Sequence, residues 1–207
     1  MGEWVYTIYR KTKGETKMKS DYRVRASRFI KSVMPYIENV LFDFSEVEER
    51  IAEYNRDHSR KVEVMYGAAR IALITSDYVV KWDYDEECAR DLGGCMDEYD
   101  AYLYAKSKGY DYLLAETSLV VVHGQVFSIM PRIRNIGPTH HKGEINQYLT
   151  TDELKWVHEF DRDIHHYNWG IRHGKACIID YAMTEEVVNR GGWWVNFMLT
   201  RWPARKC

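Results

Sequence analysis

A chain of 207 residues, 45% apolar and 29% charged, suits one large domain or a domain with an appendage, and has enough apolar residues for a packed core. Its net charge of −2 exerts no overall pull toward nucleic acid. No apolar run approaches the roughly 20 residues of a membrane span, and Met1-Gly-Glu-Trp-Val lacks the apolar segment of a secretory signal, so a cytoplasmic protein with no membrane partner is expected. Four cysteines, at 88, 95, 177 and 207, include no Cys-x-x-Cys pair and read as free thiols of a reducing compartment.

The first sixty residues read as a helical extension. Ile30, Val33, Ile37, Val40, Phe44, Val47, Ile51 and Tyr54 recur in steps of three and four. Pro35 and the capping-box spacing of Ser45-Glu-Val-Glu48 divide this stretch into two helices, expected over 22–42 and 45–57. Their apolar stripe either packs on the following domain or forms a surface for a homodimer or other partner. Residues 10–31 hold nine Lys or Arg against Glu15 and Asp21, which reads as a solvated basic face, with an acidic protein or a nucleic acid as the second reading.

A small lobe is expected over 61–131. Gly67-Ala-Ala-Arg70 precedes the apolar run Ile71–Ile74. Thr75-Ser-Asp77 reads as a turn, and Tyr78-Val-Val-Lys81-Trp82 as a strand carrying one lysine. A helix follows over 92–108, with Glu98 on it and Tyr99, Tyr102 and Leu103 at helical spacing. The runs Ser118–Val122 and Gln125–Met130 flank His123-Gly124 and predict a hairpin. Pro131–Gly137 then leads into the remainder, 132–207.

There, Thr150-Thr-Asp-Glu153 has capping-box spacing ahead of Leu154, Val157 and Phe160, which predicts another helix. The stretch Asp163-Ile-His-His-Tyr-Asn168-Trp-Gly170 follows, and then Lys175-Ala-Cys-Ile-Ile-Asp180-Tyr-Ala182. Phosphoryl transfer relies on positioning and charge neutralisation, and an Asp, an Asn and a second Asp in this order meet those needs. Asp163 would orient the attacking hydroxyl. Asn168 and Asp180 supply hard oxygen ligands for Mg²⁺, and Ala176–Ile179 reads as a buried strand that delivers Asp180. A last helix is expected over Thr184–Arg190, stopped by Gly191-Gly192, with Trp193, Trp194, Phe197 and Trp202 covering the core.

These motifs resemble the catalytic loop and metal-binding triplet of protein kinases and of their small-molecule relatives, the aminoglycoside and choline kinases. The resemblance spans about residues 62–182. It implies an α+β, two-lobed kinase-like fold with a reduced C-terminal lobe and an N-terminal helical extension. It also implies ATP and Mg²⁺ as cofactors and a protein or small molecule as acceptor. Lys81 would hold the phosphates, Glu98 would orient Lys81, and Gly67 and Arg70 would lie over the phosphates. Pro131–Gly137 would be the hinge against which adenine rests. The sequence departs from the family at several positions. Gly67 stands where three glycines are usual, His165 replaces the loop lysine, and Asp180-Tyr-Ala182 lacks the usual final glycine. The compact form resembles kinase-like proteins of phages and bacteria, which would place a phage-encoded version in the host cytoplasm.

Two other readings use the same residues. A pseudokinase would keep the fold and bind a partner without turnover. A metal-dependent nuclease or hydrolase would use His140, His141, His165, His166 and His173. Taken singly, Asp163, Asn168 and Asp180 are also ordinary turn residues.

Overall fold

The computed structural model describes residues 19–37, 44–67, 69–84, 93–135, 146–160 and 166–182, together with 184, 187 and 189. Among them are four α-helices and eight strands in two antiparallel sheets, an α+β architecture. The chain divides into two compact units. The first is Met1–Asp85 with Thr117–Arg132; the second is Glu86–Glu116 with Ile133–Cys207.

The first unit is a five-stranded sheet covered on one face by two helices. The strands are β1 (Glu63–Tyr66), β2 (Arg70–Ile74), β3 (Tyr78–Asp83), β4 (Ser118–Val122) and β5 (Gln125–Pro131), in the order β1-β2-β3-β5-β4. Thr75-Ser-Asp77 makes the predicted turn, with the Thr75 hydroxyl oxygen accepting the N–H groups of Asp77 and Tyr78 at 3.3 and 3.1 Å. His123-Gly124 makes the predicted hairpin: both residues have positive φ, 50° and 83°, which suits the right-handed twist of the flanking strands.

Alternation along the strands sorts the side chains. Ile71, Leu73, Tyr78, Val80, Trp82, Val120, Val122, Phe127 and Ile129 form one buried cluster with residues of α1 (Lys19–Ile37) and α2 (Phe44–His58). From the helices come Ala26, Phe29, Ile30, Val33, Met34, Ile37, Val47, Ile51 and Tyr54. Of the heptad-like stripe, Ile30, Val33, Ile37, Val47, Ile51 and Tyr54 therefore pack on the sheet, whereas Phe44 is exposed and Val40 lies outside the described residues. Full burial of a side chain such as Phe29 or Ile51 contributes about 1.5–3 kcal/mol. Pro35 lies inside α1, where it has no N–H to donate to the carbonyl four residues earlier, that of Lys31. An Arg25–Asp77 ion pair joins α1 to the β2–β3 turn.

The second unit contains α3 (Cys95–Lys108), α4 (Thr151–Phe160) and a sheet of β6 (Arg134–Asn135), β7 (Trp169–Arg172) and β8 (Lys175–Ile178), in the order β6-β7-β8. Helix α3 starts at Gly94, whose N–H donates to Asp97 Oδ2 at 2.8 Å, and ends at Gly109 in the left-handed conformation. The capping box of α4 forms as predicted: Thr150 N–H donates to Glu153 Oε2 at 2.6 Å, and Glu153 N–H to Thr150 Oγ1 at 3.3 Å. Tyr110, Trp156 and Phe160 stack in series with ring centroids 4.5 Å apart at each step.

Two features of this unit depart from the sequence expectations. Arg134 and Asn135, expected in an open hinge, form a short strand against Ile171 and Gly170. A Cβ at Gly170 would meet Ile133 Cγ2 at 2.5 Å, so that pairing needs glycine there. Strand β7 was not anticipated; the run read as one strand is the second half of a hairpin. Most of the helix expected over Thr184–Arg190 lies outside the described residues, as do Trp193, Trp194, Phe197 and Trp202. No described helix is long and apolar enough to cross a membrane.

Candidate active site

The β7–β8 hairpin positions the acidic end of the candidate site. Its turn, His173-Gly174, repeats the backbone solution of His123-Gly124, with φ of 52° and 77°. The register pairs Trp169 with Ile178 and Gly170 with Cys177. One further bond extends the ladder: Ile179 N–H donates to the Asn168 carbonyl at 2.7 Å. Asn168 therefore stands opposite Ile179, and Asp180 one residue beyond, so both lie at the same end of one hairpin. Asn168 is buried and Asp180 half-buried. An amide oxygen and a carboxylate so placed are two of the oxygen donors that Mg²⁺ takes while leaving positions for phosphate oxygens and water.

The hairpin is anchored from behind. Trp169, Ala176, Cys177 and Ile178 are buried, and Ala115 N–H donates to the Ile178 carbonyl at 2.8 Å beside a parallel bridge between Leu114 and Ile178. Burial pushes the Cys177 thiol up to about 12, so it stays protonated and is packing material, not a nucleophile.

In the first unit, the sheet face opposite α1 and α2 carries Lys81. The register sets Lys81 between Ala72 on β2 and Ser128 on β5, two small neighbours. Arg70, paired with Asp83, lies on the same face. Gly67 and Arg70 close the β1–β2 hairpin, with Gly67 N–H donating to the Arg70 carbonyl at 2.8 Å. The structure thus brings Gly67, Arg70 and Lys81 to neighbouring strands of one sheet. Lys81 is 7% exposed.

Glu98 lies in α3 of the second unit and is fully buried together with Cys95, Ala101, Tyr102 and Ala105. A carboxylate in such a place is retained only with compensating partners. Asp163 and His165 lie outside the described residues, as do His140 and His141. His173 is an exposed turn residue, and among the described residues no three His, Cys, Asp or Glu converge as a metal set.

Two residues of this region were missed from the sequence. Tyr181, 1% exposed, donates its hydroxyl to the Ala115 carbonyl at 2.5 Å, and nothing local marks it. Gly93 packs against Ala182; its only sequence signal is the Gly93-Gly94 pair before a helix. In comparisons with known proteins, the chain matches no protein-family model and no curated protein sequence.

Proposed function

We propose that this protein is an ATP- and Mg²⁺-dependent phosphotransferase on a kinase-like, two-lobed plan. The observation that carries the reading is the placement of Asn168 and Asp180 at one end of the β7–β8 hairpin, joined by the 2.7 Å bond from Ile179 to Asn168. The order of Asn, buried strand and Asp is what the sequence motifs call for; strand β7 adds the first half of the hairpin. In this reading Asn168 and Asp180 hold Mg²⁺, Lys81 holds the ATP phosphates and Glu98 orients Lys81. Arg70 adds charge on the face that bears Lys81. Asp163 orients the acceptor hydroxyl of a protein or small molecule. When bound, Mg²⁺ neutralises charge on the transferred phosphoryl group; the side chains position and shield it.

The test is incubation with γ-labelled and, separately, α-labelled ATP and Mg²⁺, using cell lysate as acceptor pool. Transfer of γ label that is lost in Asp180→Ala is the expected result. Label from the α position alone would convert the reaction to nucleotidyl transfer. No label from either position, in a folded protein, would overturn the reading.

One observation favours a second reading, a pseudokinase that binds a partner. The Gly67–Arg70 connection is a closed turn whose Gly67 N–H is already spent on Arg70 O at 2.8 Å, so that amide is not offered to phosphate. Mg²⁺-dependent ATP binding with no transfer to any acceptor would favour the scaffold.

A further inference from the structure

Residues 178–182 are tied down at successive points, all within the second unit. The Ile178 carbonyl accepts the Ala115 N–H at 2.8 Å, and Ile179 N–H donates to Asn168 O at 2.7 Å. The buried Tyr181 hydroxyl returns to the same residue, donating to Ala115 O at 2.5 Å. Ala182, 3% exposed, lies against the entry to α3. A Cβ built on Gly93 would come within 2.6 Å of Ala182 O and 2.8 Å of its Cβ, and Gly93 has φ +87°. Gly93 thus meets two demands that only glycine satisfies, a left-handed backbone and contact with no room for a side chain. The glycine that the Asp180-Tyr-Ala182 triplet lacks at its end stands instead on the segment packed against it.

We propose that Gly93 and Tyr181 are positioning residues that clamp Asp180 in one nucleotide-independent placement, making the segment a fixed post and not a switch. The inference rests on the reading of Asp180 as a Mg²⁺ ligand. Its physical basis is that swinging residues 180–182 would withdraw Tyr181 from the core and take its hydroxyl from the Ala115 carbonyl.

The experiment is amide exchange by NMR at Ile179 and Ala115 in the full chain, with and without Mg²⁺-ATP. It is paired with nucleotide affinity for wild type, Tyr181→Phe and Gly93→Ala. Wild-type exchange at both amides should be slow and unchanged by Mg²⁺-ATP. Tyr181→Phe, which keeps the ring, should speed it about tenfold, the effect of one lost buried hydrogen bond, and weaken Mg²⁺-dependent ATP binding by a similar factor. Gly93→Ala should do both more strongly; should it not fold, Tyr181→Phe decides alone. Fast wild-type exchange that slows on adding Mg²⁺-ATP would overturn the clamp, as would wild-type exchange in Tyr181→Phe. Faster exchange with unchanged affinity overturns the positioning role. If wild type binds no nucleotide but the variants still speed exchange, the clamp stands and the phosphotransferase reading fails.

Discussion

Glu153 shows how much one side chain organises. Its carboxylate accepts the Thr150 N–H and the Tyr112 hydroxyl, the latter at 2.8 Å. The Thr150 N–H, first, and the Tyr112 hydrogen bond hold it below the usual carboxylate range, against the opposing effect of burial. Burial, and then the bond to Glu153, push the Tyr112 phenol up to about 12. The two groups act on stability at opposite ends of the pH scale. The depressed carboxylate stabilises the fold above its unfolded value, 4.5, and that contribution is lost as pH falls through its folded value. The raised phenol contributes below its unfolded value of 10.0 and loses that contribution as pH rises toward 12. Glu153→Ala should cost about 1 kcal/mol in urea unfolding at pH 7, and the gap from wild type should narrow at pH 3. Subtracting a Tyr112→Phe titration from wild type at 295 nm should isolate one phenol ionising near 12. The capping box itself was legible in Thr150-Thr-Asp-Glu153, because its partners are three residues apart. The Tyr112 partner was not, because it is 41 residues away.

Elements were legible where their signal is local. The spacing of Ile30, Val33 and Ile37 marks the face of α1 that packs on the sheet, where Phe29 joins them, whereas Val24 points outward at 43% exposure. Phe29→Ala should therefore cost about 3–5 kcal/mol in urea unfolding, and Val24→Ala less than about 0.5 kcal/mol. Equal effects would mean that the helix does not pack as described. The β7–β8 hairpin shows the opposite case. His173-Gly174 carries the same dipeptide as His123-Gly124, yet strand β7 begins immediately after the Asn168 loop with the short run Trp169–Arg172. A four-residue strand that starts inside a polar loop gives little alternation to read. Arg134–Asn135 is harder still: two exposed polar residues become a strand only because Gly170 lets the chain come close.

At the scale of the molecule, the N-terminal helices change status. They read as an extension, but they fill one face of the five-stranded sheet and share its core from Ala26 to Tyr54. Removing residues 1–60 would expose Leu73, Val80, Val120, Phe127 and Ile129, all buried at present. Such a truncated chain should lose its cooperative unfolding transition and bind a hydrophobic dye, whereas a sharp transition would show that the helices are dispensable. Arg70 and Lys81 lie on the opposite face of the sheet. The chain passes between the two units at the start of the segment leading to α3, after Glu116 and after Arg132. The helix bearing Glu98, expected in the small lobe, accordingly groups with the second unit.

By itself the sequence determined what depends on near neighbours along the chain: the Thr75–Asp77 turn, the capping box of α4, the apolar stripes of α1 and α2, and the β4–β5 hairpin. It also determined the order Asp163, Asn168, Asp180, which is the chemical content of the proposal. The tertiary structure decided what depends on distant pairings. It covered the sheet with the N-terminal helices, set Asn168 against Ile179, returned Tyr181 to Ala115 and closed Gly93 on Ala182. The Gly93–Ala182 approach alone joins residues 89 positions apart. Burial and close approach are properties of the packed chain, so no local pattern encodes them.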